Sequence, residues 1–372
     1  MRTATVTIDS AALSHNLSEV KKRAPSSRVL AMVKADAYGH GVAAALPALQ
    51  SADGIGVATF NEAKEARALG WSKVITLIEG VFCFNEWQQA LDFECCCVIH
   101  HHSQLDWALK VLPKPNSKSQ TVWLKFNTGM NRLGFNEADI IDAATKLNNA
   151  GYRLVLTTHF ANADSVQNPL NAQQIRRFCK MLAYLKTHIH PDIQGSLCNS
   201  AGIINFAPYH FDWVRPGIML YGSSPVTDQS AAELNLKPVM EFSAKIMALR
   251  TIYQGEGIGY GSRFVANQDT NVALVSIGYG DGYPRGISSN AVVCLHNSFD
   301  NQRYLCPIVG RVAMDMMVID VSHITQSIAL DSLVVLWGQQ PHIDEVAGFA
   351  DTISYELLCR LSRRPTRLAA SA

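Results

Sequence analysis

For roughly 230 residues the chain repeats one beat, in which a short apolar run and a break are followed by an amphipathic stretch. "VLAMV" (Val29–Val33), "GIGVA" (Gly54–Ala58), "VITLI" (Val74–Ile78), "TVWLKFN" and "LVLTTHF" are runs of the kind that fill buried parallel strands. Between them, "DSAALSHNLSEVKKRA" sets Leu13, Leu17 and Val20 at helical spacing behind a capping Asp9. "NEAKEARAL", "QLDWALKVL", "EADIIDAATKLNNAG" and "NAQQIRRFCKMLAYLKTH" repeat the helical pattern. Such repetition gives a doubly wound sheet or a parallel barrel, and a number of units nearer eight than six favours a TIM-type (β/α)8 barrel over residues 1–230.

After "YGSSPVTDQSAAELNLKP" the period changes to two. In "MEFSAKIMA", apolar Met240, Phe242, Ala244, Ile246 and Ala248 alternate with polar neighbours, as on a half-buried strand. "NVALVSIGYG", "AVVCLHN", "YLCPIVG", "AMDMMVIDV" and "SLVVLWG" follow, and only "HIDEVAGFADTISYELLCRLS" reads as helical. Residues 231–372 therefore form a mainly β domain, with which the first few residues of the chain can pair.

Composition narrows the functional classes. With 48% apolar and 17% charged residues among 372, the chain builds a large core. A net charge of +1 draws it to neither nucleic acid nor an anionic membrane. No apolar run nears the ~18 residues that span a bilayer, and "MRTATVTIDSAALSHNL" lacks an export signal's apolar core, so a cytoplasmic protein is expected. The nine cysteines include no CxxC pair and read as reduced, mostly buried thiols. His100–His102 are consecutive, so their side chains diverge, and no metal site is expected.

One residue breaks the apolar logic. Val29–Val33 run straight into Lys34, where a buried ammonium needs a partner or a lowered pKa. At a barrel strand's C-terminal end, where active sites lie, a neutral lysine can form a Schiff base with a carbonyl. Taken alone, the position reads better as a lysine reaching out to solvent.

Its neighbourhood changes that. "VKADAYGHG" resembles the pyridoxal-phosphate attachment loop of the alanine racemases. "NTGMNRLGF", "THFANAD", "CNSAG", "FDWVRPGIMLYG", "GEGIGYGSRF", "IGYGDGYPR", "GRVAMDMM" and "ISYELL" follow in that family's order, so the resemblance runs from Met1 to about Leu361. It implies a pyridoxal 5'-phosphate enzyme that interconverts L- and D-alanine, supplying D-alanine for peptidoglycan. It also implies a homodimer with two shared active sites.

Racemisation takes a proton from one face of a carbon and returns one to the other, so two acid–base groups are needed on opposite sides. The resemblance assigns these to Lys34, which also holds the cofactor covalently, and to the partner subunit's Tyr260. Tyr38 shares a loop with Lys34 and hence a side; by resemblance it helps hold the phosphate, with Asn199, Ser200, Gly217, Ile218 and Tyr355. Arg215 matches the residue that hydrogen-bonds the cofactor's pyridine nitrogen, with His159 as the neighbour that orients it. A guanidinium stays protonated, so it leaves that nitrogen unprotonated and the cofactor a weaker electron sink, which restricts the reaction to proton exchange.

Arg132 matches the residue that stabilises the substrate carboxylate. Lys125 matches a position that many members carbamylate, turning a cation that would repel Arg132 into an anion that attracts it. Met314 and Asp315 lie where the family binds the substrate carboxylate, although Ala313 stands where many members have cysteine. Asp164, Tyr279, Arg285 and Arg311 match the entrance. The competing readings are a broad-specificity racemase, a decarboxylase of basic amino acids and a pyridoxal-phosphate-binding homeostasis protein. The last resembles the barrel alone, whereas this chain continues into a β domain bearing Tyr260.

Overall fold

The structure, a computed structural model, describes residues 4–370; residues 1–3 of the expected first domain and 371–372 of the second lie outside them. The chain falls into two compact units. One comprises Leu13–Ala37 and Gly41–Leu236; the other takes the chain up to Ala12, Tyr38–His40, and everything from Lys237 onward. The first strand, β1 (Thr5–Ile8), belongs to the second of these.

The unit built on residues 13–236 holds β2 (Arg28–Met32), β3 (Gly54–Val57), β4 (Val74–Leu77), β5 (Cys96–Ile99), β6 (Thr121–Lys125), β7 (Arg153–Thr157), β8 (Gln194–Ser196) and β9 (Trp213–Val214). Among the described residues these eight pair in parallel from β2 through β8, and β9 returns beside β2. Arg215 N donates to Cys198 O at 2.9 Å and Asp212 N to Gly195 O at 3.1 Å, which closes the seam between β8 and β9. The result is a parallel eight-stranded barrel.

Local chemistry starts its helices. Thr59 and Glu62 form a reciprocal capping box on Phe60–Ala68, Asn136 caps Glu137–Asn149, and Asn168 caps Pro169–His188 with proline in the first turn. His101, within the histidine triplet, caps His102–Lys110 by accepting from Ser103 N. Among the described residues the cysteines form no disulfide, and Cys96 and Cys97 fill β5. Neither β5 nor the three-residue β8 stands out as a strand in the sequence.

The other unit is mainly β. Its strands are β10 (Met240–Ile252), β11 (Gly257–Ile258), β12 (Phe264–Val265), β13 (Thr270–Val275), β14 (Val292–Asn297), β15 (Gln302–Val309), β16 (Met317–Asp320), β17 (Leu333–Trp337) and β18 (Thr366–Ala369). The long β10 pairs with β17 and β1 through its first half and with β13 through its second, shifting register between Ile246 and Ala248. That double use closes β13-β16-β15-β14-β17-β10 on itself, and β1 and β18 extend the edge. The segment expected to be one C-terminal helix is two short ones, Ile343–Phe349 and Ser354–Cys359, interrupted where Asp351 adopts a positive φ of 51°. Among the described residues no helix is long and apolar enough to cross a membrane.

Candidate functional site

The barrel's charged residues gather beyond the C-terminal ends of its strands, as the fold requires of an active site. Lys34 follows β2, Lys125 ends β6, His159 follows β7, Asn199 and Ser200 follow β8, and Arg215 follows β9. Lys34 opens an unusual turn in which Ala35, Asp36, Ala37 and Tyr38 all have φ of 53–54°, one left-handed helical turn. Non-glycine residues there are strained by roughly 1 kcal/mol each, so the surroundings must fix them. Asp36 Oδ1 accepts from Val42 N at 2.9 Å, Ala37 N donates to Val33 O at 2.9 Å, and Glu62 Oε1 accepts from Ala35 N at 2.8 Å. The other oxygen of Glu62 takes Ala58 N and Thr59 N, so one carboxylate joins the Lys34 turn to a helix cap. Nothing in the sequence marks Glu62 for that work.

Arg215 is buried, and neutral acceptors take its donors. Nη1 donates to Ser196 Oγ at 2.5 Å, and Nη2 to Thr158 O at 2.6 Å and Leu197 O at 3.3 Å. Burial pulls its pKa down to about 10, which leaves it a cation at neutral pH. Among the described residues no hydrogen bond joins it to His159; Ser196, which itself donates to Trp213 O at 3.0 Å, holds Nη1. Burial first, and then Arg215, Lys125, Arg132 and Lys34, push the His159 imidazole well below its ordinary value, so it is neutral. The buried Gln174 fixes the local backbone by donating to His159 O at 2.9 Å.

Lys125 carries the largest consequence of this crowding. Burial, then the charges of Arg215, Arg132 and Lys34, lower its pKa to about 7, with Glu79 opposing them most weakly. A small cavity of about 10 Å³, near one water in size, lies between Lys125, Arg132, Thr158 and His159. These positive groups cluster with little to balance them, an environment that favours an anionic ligand or an anionic modification of Lys125.

Beyond β8, the side chain of Asn199 caps Ser200–Asn205 through Gly202 N. Ser200 Oγ accepts from Gly217 N at 2.8 Å and lies 3.5 Å from Met219 N. These amides, at and just before the start of the Ile218–Tyr221 turn, converge on the Ser200 hydroxyl. The barrel thus supplies a lysine, a buried guanidinium and a convergent set of N–H groups, which fits a phosphorylated, electron-poor aromatic aldehyde. Asp164 lies exposed in the loop after His159.

In the other unit, Tyr260 sits on the hairpin between β11 and β12 and is 74% exposed. Ile258 anchors the hairpin against Val272 and Val309. Two uses of glycine flank Tyr260: Gly255, Gly259 and Gly261 have φ of 87°, 66° and 72° and no neighbour within the chain where a Cβ would stand, whereas a Cβ on Gly257 would stand 2.6 Å from Ser262 Cβ. A groove of about 630 Å³ brings Tyr260 together with Arg311, Met314 and Asp315. Tyr279 and Gly280 hydrogen-bond through their amides to Ala313 O and Met314 O at 3.0 and 2.9 Å, so the expected entrance and carboxylate segments are one structure. Arg285 is exposed nearby in sequence. Tyr38 and Tyr355, both expected at the phosphate, have ring centroids 6.0 Å apart, and burial raises the pKa of Tyr38.

Comparison with known proteins agrees with this layout. The model of the alanine racemase N-terminal domain matches residues 8–225, and that of the alanine racemase C-terminal domain matches 239–369. The chain is 54% identical over 372 residues to an alanine racemase of Psychrobacter sp. (strain PRwf-1), covering 99% of both. It is 40% identical over 362 residues to that of Legionella pneumophila (strain Lens), covering 96% of this chain and 97% of the relative. Among solved structures, alanine racemase from Acinetobacter baumannii superposes with a TM-score of 0.91 at 47% identity over all of both chains. The Bartonella henselae alanine racemase with covalently bound pyridoxal phosphate superposes with a TM-score of 0.86 at 28% identity, again over all of both chains.

Proposed function

The chain belongs to the alanine racemase family, whose members depend on pyridoxal phosphate, and on that premise we propose that it interconverts L-alanine and D-alanine by proton exchange between two residues. The observation that carries this reading is Lys34 at the end of the first barrel strand, amid positive groups whose charge favours an anionic cofactor. Lys34 holds the cofactor and serves one face of the substrate carbon; the partner subunit's Tyr260 serves the other. The exposure of Tyr260 supports a role outside its own chain. What pyridoxal phosphate supplies when bound is an electron sink conjugated to the α-carbon, which acidifies its C–H bond.

The remaining roles belong to this chain's own side chains. Arg215 places a permanent donor at the ring nitrogen, and the neutral His159 beside it adds no competing proton. Asn199, Ser200, Gly217 and Ile218 receive the phosphate through the start of a helix and a turn, and Tyr38 and Tyr355 are further cofactor contacts. Arg132 binds the substrate carboxylate, helped by a carbamylated Lys125, and the Met314 amide beside Asp315 is a further carboxylate contact. Asp164, Tyr279, Arg285 and Arg311 line the way in, where steric exclusion favours a methyl side chain.

In this reading residues 1–230 are the cofactor-binding part and 231–372 bring the second base. The protein works in the cytoplasm as a homodimer, and its product serves peptidoglycan synthesis. Chiral analysis of L-alanine, L-serine and L-lysine incubated with the holoenzyme tests this: rapid conversion of alanine alone is expected. Release of carbon dioxide from lysine would support a decarboxylase, equal turnover of all three a broad racemase, and inertness with cofactor bound a binding protein.

A further inference from the structure

Within the β unit, a residue outside every recognised motif ties the carboxylate-binding segment to the entrance. Arg364, two residues before β18, donates from Nη2 to Asp315 Oδ1 at 2.5 Å, and its Nε lies 3.4 Å from Asp281 Oδ1. Asp281 is fully buried, and its other oxygen accepts from Gly278 N at 2.9 Å. The segments it joins are already zipped together, since Tyr279 N and Gly280 N donate to Ala313 O and Met314 O. Packing there leaves no slack: a Cβ on Gly280 would stand 2.1 Å from Arg364 Nη1, and one on Gly278 would stand 2.3 Å from Ala313 O. Gly280 is therefore the floor on which the guanidinium rests.

We propose that Arg364 is a positioning residue for the substrate carboxylate: it draws Asp315 aside and offsets its charge, so that the neighbouring Met314 amide can receive an anion. The argument is electrostatic. An uncompensated carboxylate one residue from an amide that binds a carboxylate repels the ligand it should help to hold. A planar fork touching two carboxylates at once fixes Asp315 in direction as well as charge, which a point charge does less well. The inference rests on the assignment of the Met314–Asp315 segment to the substrate carboxylate.

Three variants of the holoenzyme test it. Arg364→Met should raise KM for both alanine enantiomers about tenfold or more while kcat falls less than about threefold, with cofactor absorbance retained. Arg364→Lys should lie between it and wild type. Gly280→Ala keeps the arginine but displaces its guanidinium, and should also raise KM. If Arg364→Met fails to fold, the other two decide. An unchanged KM in all the variants that fold, or losses confined to kcat and cofactor absorbance, overturns the proposal. If wild type itself does not racemise alanine, the functional assignment fails instead.

Discussion

Single residues carry the chemistry, and their burial makes them testable. Replacing Arg215 by Met leaves Ser196 Oγ, Thr158 O and Leu197 O without their donor, and should cost about 2–4 kcal/mol in urea denaturation and more than about a hundredfold in kcat. Lys125 predicts a pH signature. Its folded pKa of about 7 lies below the ordinary 10.5, so between those values the unfolded chain binds more protons and stability rises with pH. Against Lys125→Met, wild type should gain melting temperature from pH 7 to pH 10; bicarbonate, by carbamylating the neutral amine, should flatten that gain. Depression of the His159 pKa has the same sign at lower pH: its stability is lost as pH falls below about 6.5. Lys34 stood out as a charge at the end of an apolar run, but its role and that of Arg215 came from the resemblance of the surrounding motifs. Ser196, Gln174 and Arg364 were not legible, since each acts through partners the fold alone supplies.

At the level of elements, the barrel was readable from its beat and the β domain from its alternation. The left-handed turn that opens with Lys34 was hidden, because nothing in "KADAY" favours positive φ. Held from outside, that turn makes Glu62 an expected control point. Glu62→Ala removes the acceptor of three backbone N–H groups and should cost about 1–3 kcal/mol, lowering kcat about tenfold as Lys34 shifts. Ala35→Gly should be neutral to stabilising by up to about 1 kcal/mol in chemical denaturation, the reverse of glycine's usual effect in a helix, because glycine adopts positive φ without strain. The Tyr260 hairpin uses glycine in two ways: Gly255, Gly259 and Gly261 hold positive φ, whereas Gly257 stands close against Ser262, and from sequence alone the two look the same.

For the whole molecule, the resemblance places the acid–base pair on different chains, which makes assembly part of catalysis. Tyr260 lies open on its own chain, at a groove shared with Met314 and Asp315, consistent with a residue that completes a partner's site. The domain order could be read from the change of period near residue 230, and β1 pairs with β10 as expected of the first residues, but the assignment of Tyr38–His40 to the β unit depends on long-range contacts that no local pattern encodes. The most direct test uses two variants, each expected to be inactive alone: Lys34→Ala and Tyr260→Phe. Coexpressed with different tags and purified through both, mixed dimers would hold one intact site and one doubly altered site, and should racemise alanine at about half the wild-type rate. Mixed dimers as inactive as their parents would contradict the shared site, and with it the two-chain mechanism.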